Sequence, residues 1–382
     1  MDEMQTTPPN SQITGTPIEN IPSPTPPVPI ASSFPKKDFF SNMWRNIVAV
    51  ILLVMSASLT LFFLHNQNKM WQAFEAWAGL DFIGLLQKKN FSFSKEEALV
   101  IPVPPPPPIP TLVGTLPLPE EFTAGSILVK DTITGEVLFK KNEYEKRPIA
   151  SLSKLLSALV VLEKNPDWQS TTTIKKDPDI ADAHFLNGET YSLEDVWNAA
   201  LVGSSNQAIL SLVDATFGDR IAFAVAMNQK ALEIGMQDSM FVEPTGLSSE
   251  NISTASDVVL LLDEALRHTK IQETLLLKEI TISPVGKKKP HNIWNTNWLL
   301  LGWIPNTIAD FRGGKTGYIT ASGYNFGMQI AQRDEKVIDV IVLGASKHEL
   351  RFSEARDIAQ SIFESYQWPI DTVTSTLETS SQ

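Results

Sequence analysis

The chain has 382 residues, and 43% of them are hydrophobic, which is enough apolar material for a sizeable core and one or two domains. Its formal net charge of −12 argues against a nucleic-acid-binding protein, since nucleic acids reward clustered lysine and arginine. The absence of cysteine excludes thiol nucleophiles, iron–sulfur clusters, cysteine-ligated zinc and disulfides.

The N-terminal part of the chain is organised around one uncharged stretch. Residues 1–46 are rich in proline, serine and threonine and predict a disordered tail. Residues 47–64 (IVAVILLVMSASLTLFFL) carry no charge and would span about 27 Å as a helix, close to the thickness of a bilayer core. We therefore predict one transmembrane helix in a lipid bilayer. The alternatives are a buried core helix and a cleaved signal peptide, and the polar leader is too long for the latter.

The charges on either side of this stretch predict its orientation. Lys36, Lys37 and Arg45 lie before it, and only Lys69 lies close after it. Because positive residues accumulate on the cytoplasmic side, we predict a cytoplasmic tail and an extracytoplasmic remainder, attached to the cell membrane by a single pass.

The rest of the chain divides by composition. Proline at 101–110 (IPVPPPPPIP) enforces an extended, semi-rigid spacer. We predict a juxtamembrane segment, a polyproline linker, a catalytic domain and a disordered tail at residues 65–100, 101–118, 119–370 and 371–382, respectively.

The catalytic domain begins with strand patterns and continues with helical ones. GSILVKD and EVLFKKN, separated by Thr134 and Gly135, predict a β-hairpin. A helix is predicted from Ser151, and capping boxes predict further helices beginning at Ser192 and Thr254.

The end of the domain returns to strand patterns. EITISPV, GYNFGMQIAQ and KVIDVIVLGA predict strands, and RFSEARDIAQSIFESY predicts a closing amphipathic helix. We expect an α/β domain in which both ends of the chain share one antiparallel sheet and the middle is mostly helical.

One short motif raises a chemical question. In RPIASLSK, Ser151 and Lys154 are spaced i, i+3, so a helix would bring the amine to the hydroxyl. The same serine would also suit an ordinary helix start. Ser33–Lys36 and Ser92–Lys95 repeat the pattern in segments with no other catalytic signal, so this motif alone decides nothing.

Two further motifs give the first one its meaning. Ser204-Ser205-Asn206 lies between two helical patterns, and Lys315-Thr316-Gly317 lies on a strand pattern. The three motifs in this order resemble the active-site signature of serine D-alanyl-D-alanine peptidases. Other segments, including FVEPTGLSSENISTASD and NTNWLL, are similar to the low-molecular-mass D,D-carboxypeptidases, the penicillin-binding peptidase family S11. The resemblance covers about residues 120–367.

The resemblance implies a β-lactamase/D,D-peptidase-like α/β fold, an antiparallel sheet flanked by helices with a mostly helical subdomain. It implies a carboxypeptidase that removes terminal D-Ala from peptidoglycan stem peptides through an acyl-enzyme and binds β-lactams as inhibitors. The implied enzyme needs no cofactor, and the five histidines show no metal-ligand spacing. The implied catalytic residues are Ser151, Lys154, Ser204, Asn206 and Lys315, and the implied substrate-binding residues are Thr316, Gly317, Tyr318 and Arg351.

The family pattern also assigns a role to most of these residues. Ser204 with Lys315 passes a proton to the departing amine, and Asn206 holds the substrate amide and Lys154. Thr316 and Arg351 hold the substrate carboxylate, and the backbone N–H groups of Ser151 and Tyr318 form the oxyanion hole.

The chemistry explains why two lysines are needed. Ser151 must lose a proton to attack a carbonyl, and a neutral Lys154 can accept it. We expect burial and the nearby positive Lys315 to lower the pKa of the Lys154 amine.

Other functions stay open at this point. The family usually has Asp where this chain has Gln207, and an aromatic or small residue where it has Thr245, so the substrate range is in question. A D,D-endopeptidase that cuts cross-links would use the same residues. A class A β-lactamase would need an E-x-x-L-N string between residues 206 and 315, and none occurs. A non-catalytic cell-wall-binding module would have no need for two catalytic lysines.

Overall fold

The structure is a computed structural model that describes residues 108–286, 289–308, 310–332 and 336–369. These residues contain eight α-helices, namely α1 (Ser153–Leu162), α2 (Leu193–Leu201), α3 (Asn206–Thr216), α4 (Arg220–Glu233), α5 (Ala255–Arg267), α6 (Thr269–Leu276), α7 (Trp298–Leu301) and α8 (Leu350–Ser365). Two 3₁₀ turns cover Pro119–Glu121 and Ala150–Leu152.

The same residues contain thirteen strands. The longer ones are β2 (Ser126–Asp131), β3 (Val137–Lys141), β8 (Glu279–Ile282), β9 (His291–Trp294), β10 (Asp310–Ile319), β11 (Gly323–Gln332) and β12 (Lys336–Ala345). The short ones are β1 (Thr111–Leu112), β4 (Arg147–Pro148), β5 (Thr171–Thr173), β6 (Thr190–Ser192), β7 (Ile252–Ser253) and β13 (Tyr366–Gln367).

The central sheet joins the two ends of the domain, as predicted. Its strand order is β10-β11-β12-β2-β3, and every neighbouring pair is antiparallel. The predicted hairpin is β2 and β3, and β2 pairs with β12, with Ser126 opposite Leu343. This arrangement places the long strand β10, which carries the Lys-Thr-Gly motif, at an edge of the sheet.

Two hydrophobic cores lie on opposite faces of this sheet because side chains alternate along each strand. Leu128 of β2 and Ile341 of β12 belong to the core beneath the helices α1 to α6. Their neighbours Val129 and Val340 belong to a second core, with Phe352 of α8. The larger core holds the helix that carries the nucleophile motif against the sheet.

The helix caps predicted from the sequence are present. Ser192 Oγ accepts a hydrogen bond from the Asp195 backbone N–H at 3.0 Å, at the start of α2. Thr254 Oγ1 accepts one from the Asp257 N–H at 3.0 Å, at the start of α5. Each side chain satisfies a backbone donor that the first helical turn leaves without a partner.

Two predicted boundaries differ from the structure. The helix expected from Ser151 begins at Ser153, since residues 150–152 form the preceding 3₁₀ turn. The linker was expected to extend to residue 118, but β1 pairs with β13, and the N–H groups of Val113 and Gly114 donate to the Ser365 carbonyl. Backbone pairing to the end of α8 therefore brings residues from 111 onward into the folded unit.

Several predictions fall outside the described part of the chain. These are the tail at 1–46, the anchor at 47–64, the juxtamembrane segment at 65–100, the first residues of the linker and the tail from residue 370. Within the ranges that the structure describes, no helix combines the length and apolar character needed to cross a bilayer.

Candidate active site

The predicted nucleophile lies in a tightly enclosed turn. Ser151 is the middle residue of the 3₁₀ turn before α1, and the preceding Ala150 has a positive φ of 51°. A non-glycine residue in this region is strained, and such strain persists only where the surroundings enforce it. Ser151 is partly exposed, whereas Leu152 and Ser153 are buried.

Two glycines allow the chain to approach this turn. A Cβ atom at Gly246 would lie 2.0 Å from the Ala150 carbonyl oxygen, and one at Gly317 would lie 2.7 Å from the Ile149 carbonyl oxygen. Gly317 belongs to β10, so this strand passes directly beside the serine turn. Only glycine fits at either position without moving the backbone around Ser151.

Lys154 reaches Ser151 from the first turn of α1. Its Nζ donates hydrogen bonds to Ser151 Oγ at 2.8 Å, to Asn206 Oδ1 at 2.6 Å and to the Thr245 carbonyl oxygen at 2.7 Å. The side chain has no exposed surface. Burial lowers the pKa of the Lys154 amine to about 7, although the carboxylates of Glu243 and Asp182 act in the opposite direction.

The turn between α2 and α3 supplies the second motif. Ser204 has a positive φ of 56°, and Ser205 caps α3 by accepting a hydrogen bond from the Ala208 N–H at 2.9 Å. Ser205 Oγ also donates to Asp182 at 2.5 Å. The cap fixes the start of α3, and Asn206 at its first position therefore points at Lys154.

Lys315 brings the third motif to the second one. Its Nζ donates to Ser204 Oγ at 2.7 Å and to the Thr316 carbonyl oxygen at 3.2 Å, and the side chain is 1% exposed. Burial lowers the pKa of Lys315 well below its usual value, and the positive charges of Lys154 and Arg351 lower it further. Burial is the largest cause of the lowered pKa of each lysine, and the repulsion between the two positive amines, which we expected from the sequence, is mutual.

Thr316 is buried next to a residue that the sequence did not reveal. Thr316 Oγ1 donates to Thr296 Oγ1 at 2.6 Å, and Thr296 follows β9 by two residues. The Thr296 N–H donates to the Val202 carbonyl oxygen at 3.2 Å. Thr296 therefore connects the end of α2 to β10. The segment NTNWLL, which the family resemblance included, was the only signal that pointed to it.

Arg351 lies in the site and is not a surface residue. It is 4% exposed, and its Nη1 donates to the Gly317 carbonyl oxygen at 3.3 Å. Its Nη2 donates to His348 Nε2 at 2.8 Å, a contact that sequence reasoning missed. Burial lowers the pKa of Arg351 to about 10, so the guanidinium stays charged at neutral pH.

Tyr318 follows the Lys-Thr-Gly motif on β10 and marks the mouth of the site. Its side chain is 48% exposed and stacks on Tyr324, with the ring centroids 4.3 Å apart. A Cβ atom at the preceding Gly317 would lie 3.1 Å from the Ser151 backbone nitrogen. The backbone that carries the Tyr318 N–H therefore runs close to the Ser151 N–H.

The two positions that depart from the family pattern have structural tasks. Gln207 is buried, accepts a hydrogen bond from the Asp177 N–H at 2.9 Å and donates to the Lys175 carbonyl oxygen at 3.1 Å. It thus holds the loop before β6. Thr245 presents its carbonyl to Lys154, and its hydroxyl donates to Glu243 at 2.6 Å.

Glu243 is a second residue whose task was not foreseen. Its carboxylate accepts hydrogen bonds from the N–H groups of Thr245, Gly246 and Ser248 and from Asn251. These bonds fix the loop that carries the Thr245 carbonyl. The glutamate in EPTG was the available signal, since a carboxylate before a turn readily accepts backbone hydrogen bonds.

The structure therefore brings all of the predicted site residues into one cleft. The fold and these contacts, above all the Lys154–Ser151 pair, are typical of a serine-type acyl-transfer site. Among the described residues, no group of His, Cys, Asp or Glu is arranged to hold a metal ion.

Comparison with known proteins shows the family to which the chain belongs. Residues 114–347 match the sequence model of the D-alanyl-D-alanine carboxypeptidase family, peptidase S11. The chain is 32% identical over 248 residues to the D-alanyl-D-alanine endopeptidase of Pseudomonas aeruginosa, covering 63% of this chain and 77% of that one. It is 30% identical over 275 residues to the endopeptidase of Escherichia coli, covering 69% and 84%.

A solved structure agrees with this assignment. Penicillin-binding protein D2 from Listeria monocytogenes, solved with ampicillin bound, superposes with a TM-score of 0.56 at 28% identity, covering 63% of this chain and 98% of that one. The chain belongs to the peptidase S11 family of serine D,D-peptidases and is a serine-type hydrolase.

Proposed function

We propose that the protein is a D,D-peptidase of peptidoglycan in which Ser151 attacks the carbonyl of a D-Ala residue and Lys154 removes the serine proton. The observation that carries the proposal is the 2.8 Å contact between Lys154 Nζ and Ser151 Oγ in a buried site. Because burial lowers the pKa of Lys154 to about 7, a large fraction of the amine is neutral at working pH.

The partners of Lys154 direct its lone pair. A neutral amine has two N–H donors and one lone pair, and the acceptors Asn206 Oδ1 and the Thr245 carbonyl use the two donors. The lone pair then faces Ser151 Oγ and can take its proton. Attack forms the bond from Oγ to the carbonyl carbon, and the developing oxyanion is held by the N–H groups of Ser151 and Tyr318.

The second serine and lysine serve the leaving group. Lys315 Nζ lies 2.7 Å from Ser204 Oγ, so a proton can pass through this hydroxyl to the departing amine when the peptide bond breaks. Water then attacks the ester carbonyl, the bond from the acyl carbon to Ser151 Oγ breaks, and Ser151 Oγ takes back the proton held by Lys154. The proton that water loses passes to the Ser204–Lys315 pair, which gave one up in the first step. Asn206 positions both the substrate amide and Lys154.

A carboxylate next to the scissile bond gives the substrate its orientation. The Thr316 hydroxyl and the buried Arg351 guanidinium are the groups that would hold it. A charge-assisted hydrogen bond in a buried site is stronger than one in water. Both a terminal D-Ala and a D-Ala–diaminopimelate cross-link present such a carboxylate, so these residues accept either substrate.

We propose cleavage of cross-links, the D,D-endopeptidase reaction, as the main activity. Two relatives, 32% and 30% identical to this chain over most of their own length, are named endopeptidases. This observation favours the reaction. Removal of terminal D-Ala, which the sequence motifs favoured, is the second candidate because the carboxylate-binding residues suit it equally. β-Lactams are proposed to acylate the same serine.

The location of the enzyme is a separate proposal. The uncharged residues 47–64 and the positive charges before them support a cytoplasmic N-terminus, a membrane anchor and an extracytoplasmic catalytic domain. Reporter fusions placed after residue 120 test it. A reporter that is active only in the cytoplasm contradicts this topology.

Mass spectrometry tests the acyl-enzyme. The intact protein, exposed to benzylpenicillin, should gain the mass of one penicilloyl group, and peptide mapping should place that group on Ser151. An adduct on another residue, or no adduct on folded protein, contradicts the proposed nucleophile.

Product analysis separates the two substrate candidates. A purified cross-linked dimer and a monomeric pentapeptide are incubated with the enzyme, and the released products are quantified. Cleavage of the dimer at the higher kcat/KM supports the endopeptidase. Release of D-Ala without cleavage of the dimer makes the enzyme a carboxypeptidase.

A further inference from the structure

Three tryptophans lie beside the carboxylate-binding side of the site and have no part in the proposed chemistry. We call Trp294, Trp298 and Trp303 the indole group. The ring centroids of Trp298 and Trp303 are 5.6 Å apart, and those of Trp303 and Trp294 are 6.0 Å apart. Trp294 and Trp303 are 51% and 52% exposed.

The indole group is continuous with the site. Trp294 and Trp298 flank Thr296, which is hydrogen-bonded to Thr316 at 2.6 Å. The Trp298 ring lies 4.2 Å from the ring of His348, the partner of the buried arginine. The group is therefore linked to the proposed carboxylate-binding residues through Thr296 and His348.

The backbone under the indole group is fixed by two buried asparagines. Asn295 is 3% exposed and donates to two backbone carbonyls at the end of α6, at 3.0 and 2.8 Å. Asn297 is 1% exposed and accepts hydrogen bonds from two backbone N–H groups of α7. Burial alternates along this segment, since Asn295 and Asn297 are buried, Trp294 is exposed, and Thr296 and Trp298 are partly exposed. The surface is thus preorganised.

The composition of this segment indicates what it would contact. Residues 294–306 contain no charged side chain. Half-exposed indoles leave unburied a large part of the area that aromatic side chains usually remove from water. A surface of this kind can bind the aliphatic part of a ligand and has no charged group that would bind an isolated ion.

We propose that the indole group is a leaving-strand subsite, which binds the aliphatic portion of the diamino acid and the stem peptide that depart when a cross-link is cut. This inference rests on the proposed D,D-peptidase function. The carboxylate held by Thr316 and Arg351 belongs to the residue on the leaving side of the scissile bond. A chain that continues past this carboxylate meets the surface beside these two residues, whereas a terminal D-Ala has nothing there beyond its methyl group.

A lipid surface is the competing occupant, since tryptophan is common at membrane interfaces. The position of the group argues against it. A bilayer that covered the indoles would also lie over the Thr296 and Thr316 side of the cleft, where the substrate must enter.

Two substitutions in the full-length protein test the subsite, Trp294→Ala and Trp303→Ala. Each should lower kcat/KM for the cross-linked dimer by about tenfold, chiefly through KM, because a well-packed aromatic contact is lost. D-Ala release from the pentapeptide and the rate of penicillin acylation should stay within about twofold of the wild-type values. Tyr144→Ala is the matched control, an exposed aromatic (69%) on the connection between β3 and β4.

Each other outcome also decides the proposal. An unchanged kcat/KM for the dimer, or equal losses for dimer and pentapeptide, overturns it. The same holds if Trp303→Ala reduces co-sedimentation with phospholipid vesicles but leaves the KM for the dimer unchanged, since the group would then be a membrane contact.

A separate measurement distinguishes failure of the subsite from failure of the proposed reaction. If the wild-type enzyme does not cut the dimer, binding of the free leaving-strand stem peptide is measured by calorimetry with Ser151→Ala protein. Binding that is weakened by Trp303→Ala in this background supports the subsite, although the endopeptidase reaction is then rejected. Binding that is absent or unchanged by Trp303→Ala overturns the subsite.

Discussion

The active-site cleft and the middle of the central sheet both bury ionisable side chains, but with different consequences. In the cleft, burial lowers the pKa of Lys154 to about 7. On β12, burial raises the pKa of Asp339, which is 1% exposed, to about 8. In both regions the low dielectric disfavours the charged form and moves the group toward neutrality.

The partners of the two groups make the difference. Lys154 contacts the hydroxyl of Ser151, which is partly open to the cleft. Asp339 accepts a hydrogen bond from Gln329 Nε2 at 3.0 Å on the neighbouring strand, inside the packed sheet. A strongly shifted pKa therefore indicates chemistry only where the group also touches a reacting atom that substrate can reach.

Removal of the nucleophile should have the largest effect in the cleft. Ser151→Ala deletes the atom that forms the acyl-enzyme, so peptidase activity should fall by at least about 10⁴-fold. The rate of D-Ala release or dimer cleavage measures this loss, and the thermal unfolding midpoint checks that the fold is kept. Residual acylation by penicillin in this variant would contradict the role of Ser151.

Loss of the proposed base should be the next largest effect. Lys154→Met keeps much of the side-chain volume but removes the proton acceptor, and the acylation rate should fall by about 10³-fold. Stopped-flow acylation by a chromogenic β-lactam measures it. Lys140→Met, at a lysine whose side chain is 62% exposed, is the control and should leave the rate unchanged. A loss below about tenfold in Lys154→Met would assign the base elsewhere.

Arg351 should affect binding more than chemistry. Arg351→Ala removes a charge-assisted hydrogen bond worth about 2 kcal/mol, so KM should rise by about thirtyfold for a substrate with a free carboxylate. The control is the same substrate with that carboxylate amidated. The wild-type enzyme should process it more slowly, and Arg351→Ala should barely change its KM. Equal sensitivity of both substrates would remove Arg351 from carboxylate binding.

The pH dependence of acylation follows from the lowered pKa of Lys154. Because only the neutral amine accepts the serine proton, the rate should level off above pH of about 7 and fall by about tenfold for each pH unit well below it. Acylation by a β-lactam, measured from pH 5 to pH 9, tests this. A rate that keeps rising toward pH 10 would show that the amine has its ordinary pKa.

The buried acid in the sheet should change stability and leave catalysis unaltered. The folded protein keeps the Asp339 proton up to a pH of about 8, whereas the unfolded chain loses it near the ordinary value of 3.8. Wild-type stability should therefore fall as pH rises from about 4 to about 8, by at most about 1.4 kcal/mol per pH unit relative to Asp339→Asn.

Urea unfolding of both proteins across this range measures the difference. Asp357→Asn, at an exposed position of α8, is the control for the loss of one carboxylate. A constant difference between wild type and Asp339→Asn would mean that Asp339 titrates normally.

Local sequence determined much of the framework. The i, i+3 spacing of Ser151 and Lys154 brings the pair together in consecutive helical turns, and alternating side chains give the hairpin of β2 and β3. The caps Ser192 and Thr254 also depend only on residues three positions away. These features are readable because the interacting atoms are close along the chain.

Only the tertiary structure decided the properties that depend on distant partners. The hydrogen bond between Ser204 and Lys315 joins residues 111 positions apart. The motifs predicted that both residues belong to the site, but they did not predict that the two side chains touch. The hydrogen bond from the buried Arg351 to the Gly317 carbonyl and the hydrogen bond between Thr316 and Thr296 likewise join separate elements.

The pKa values of the two buried groups, Lys154 and Asp339, were likewise decided by the tertiary structure. A pKa depends on how much water and which charges surround a group, and sequence spacing does not fix either one. The sequence supplied the amine of Lys154 and the carboxyl of Asp339, whereas the packing of helices and strands around them set the pKa of each.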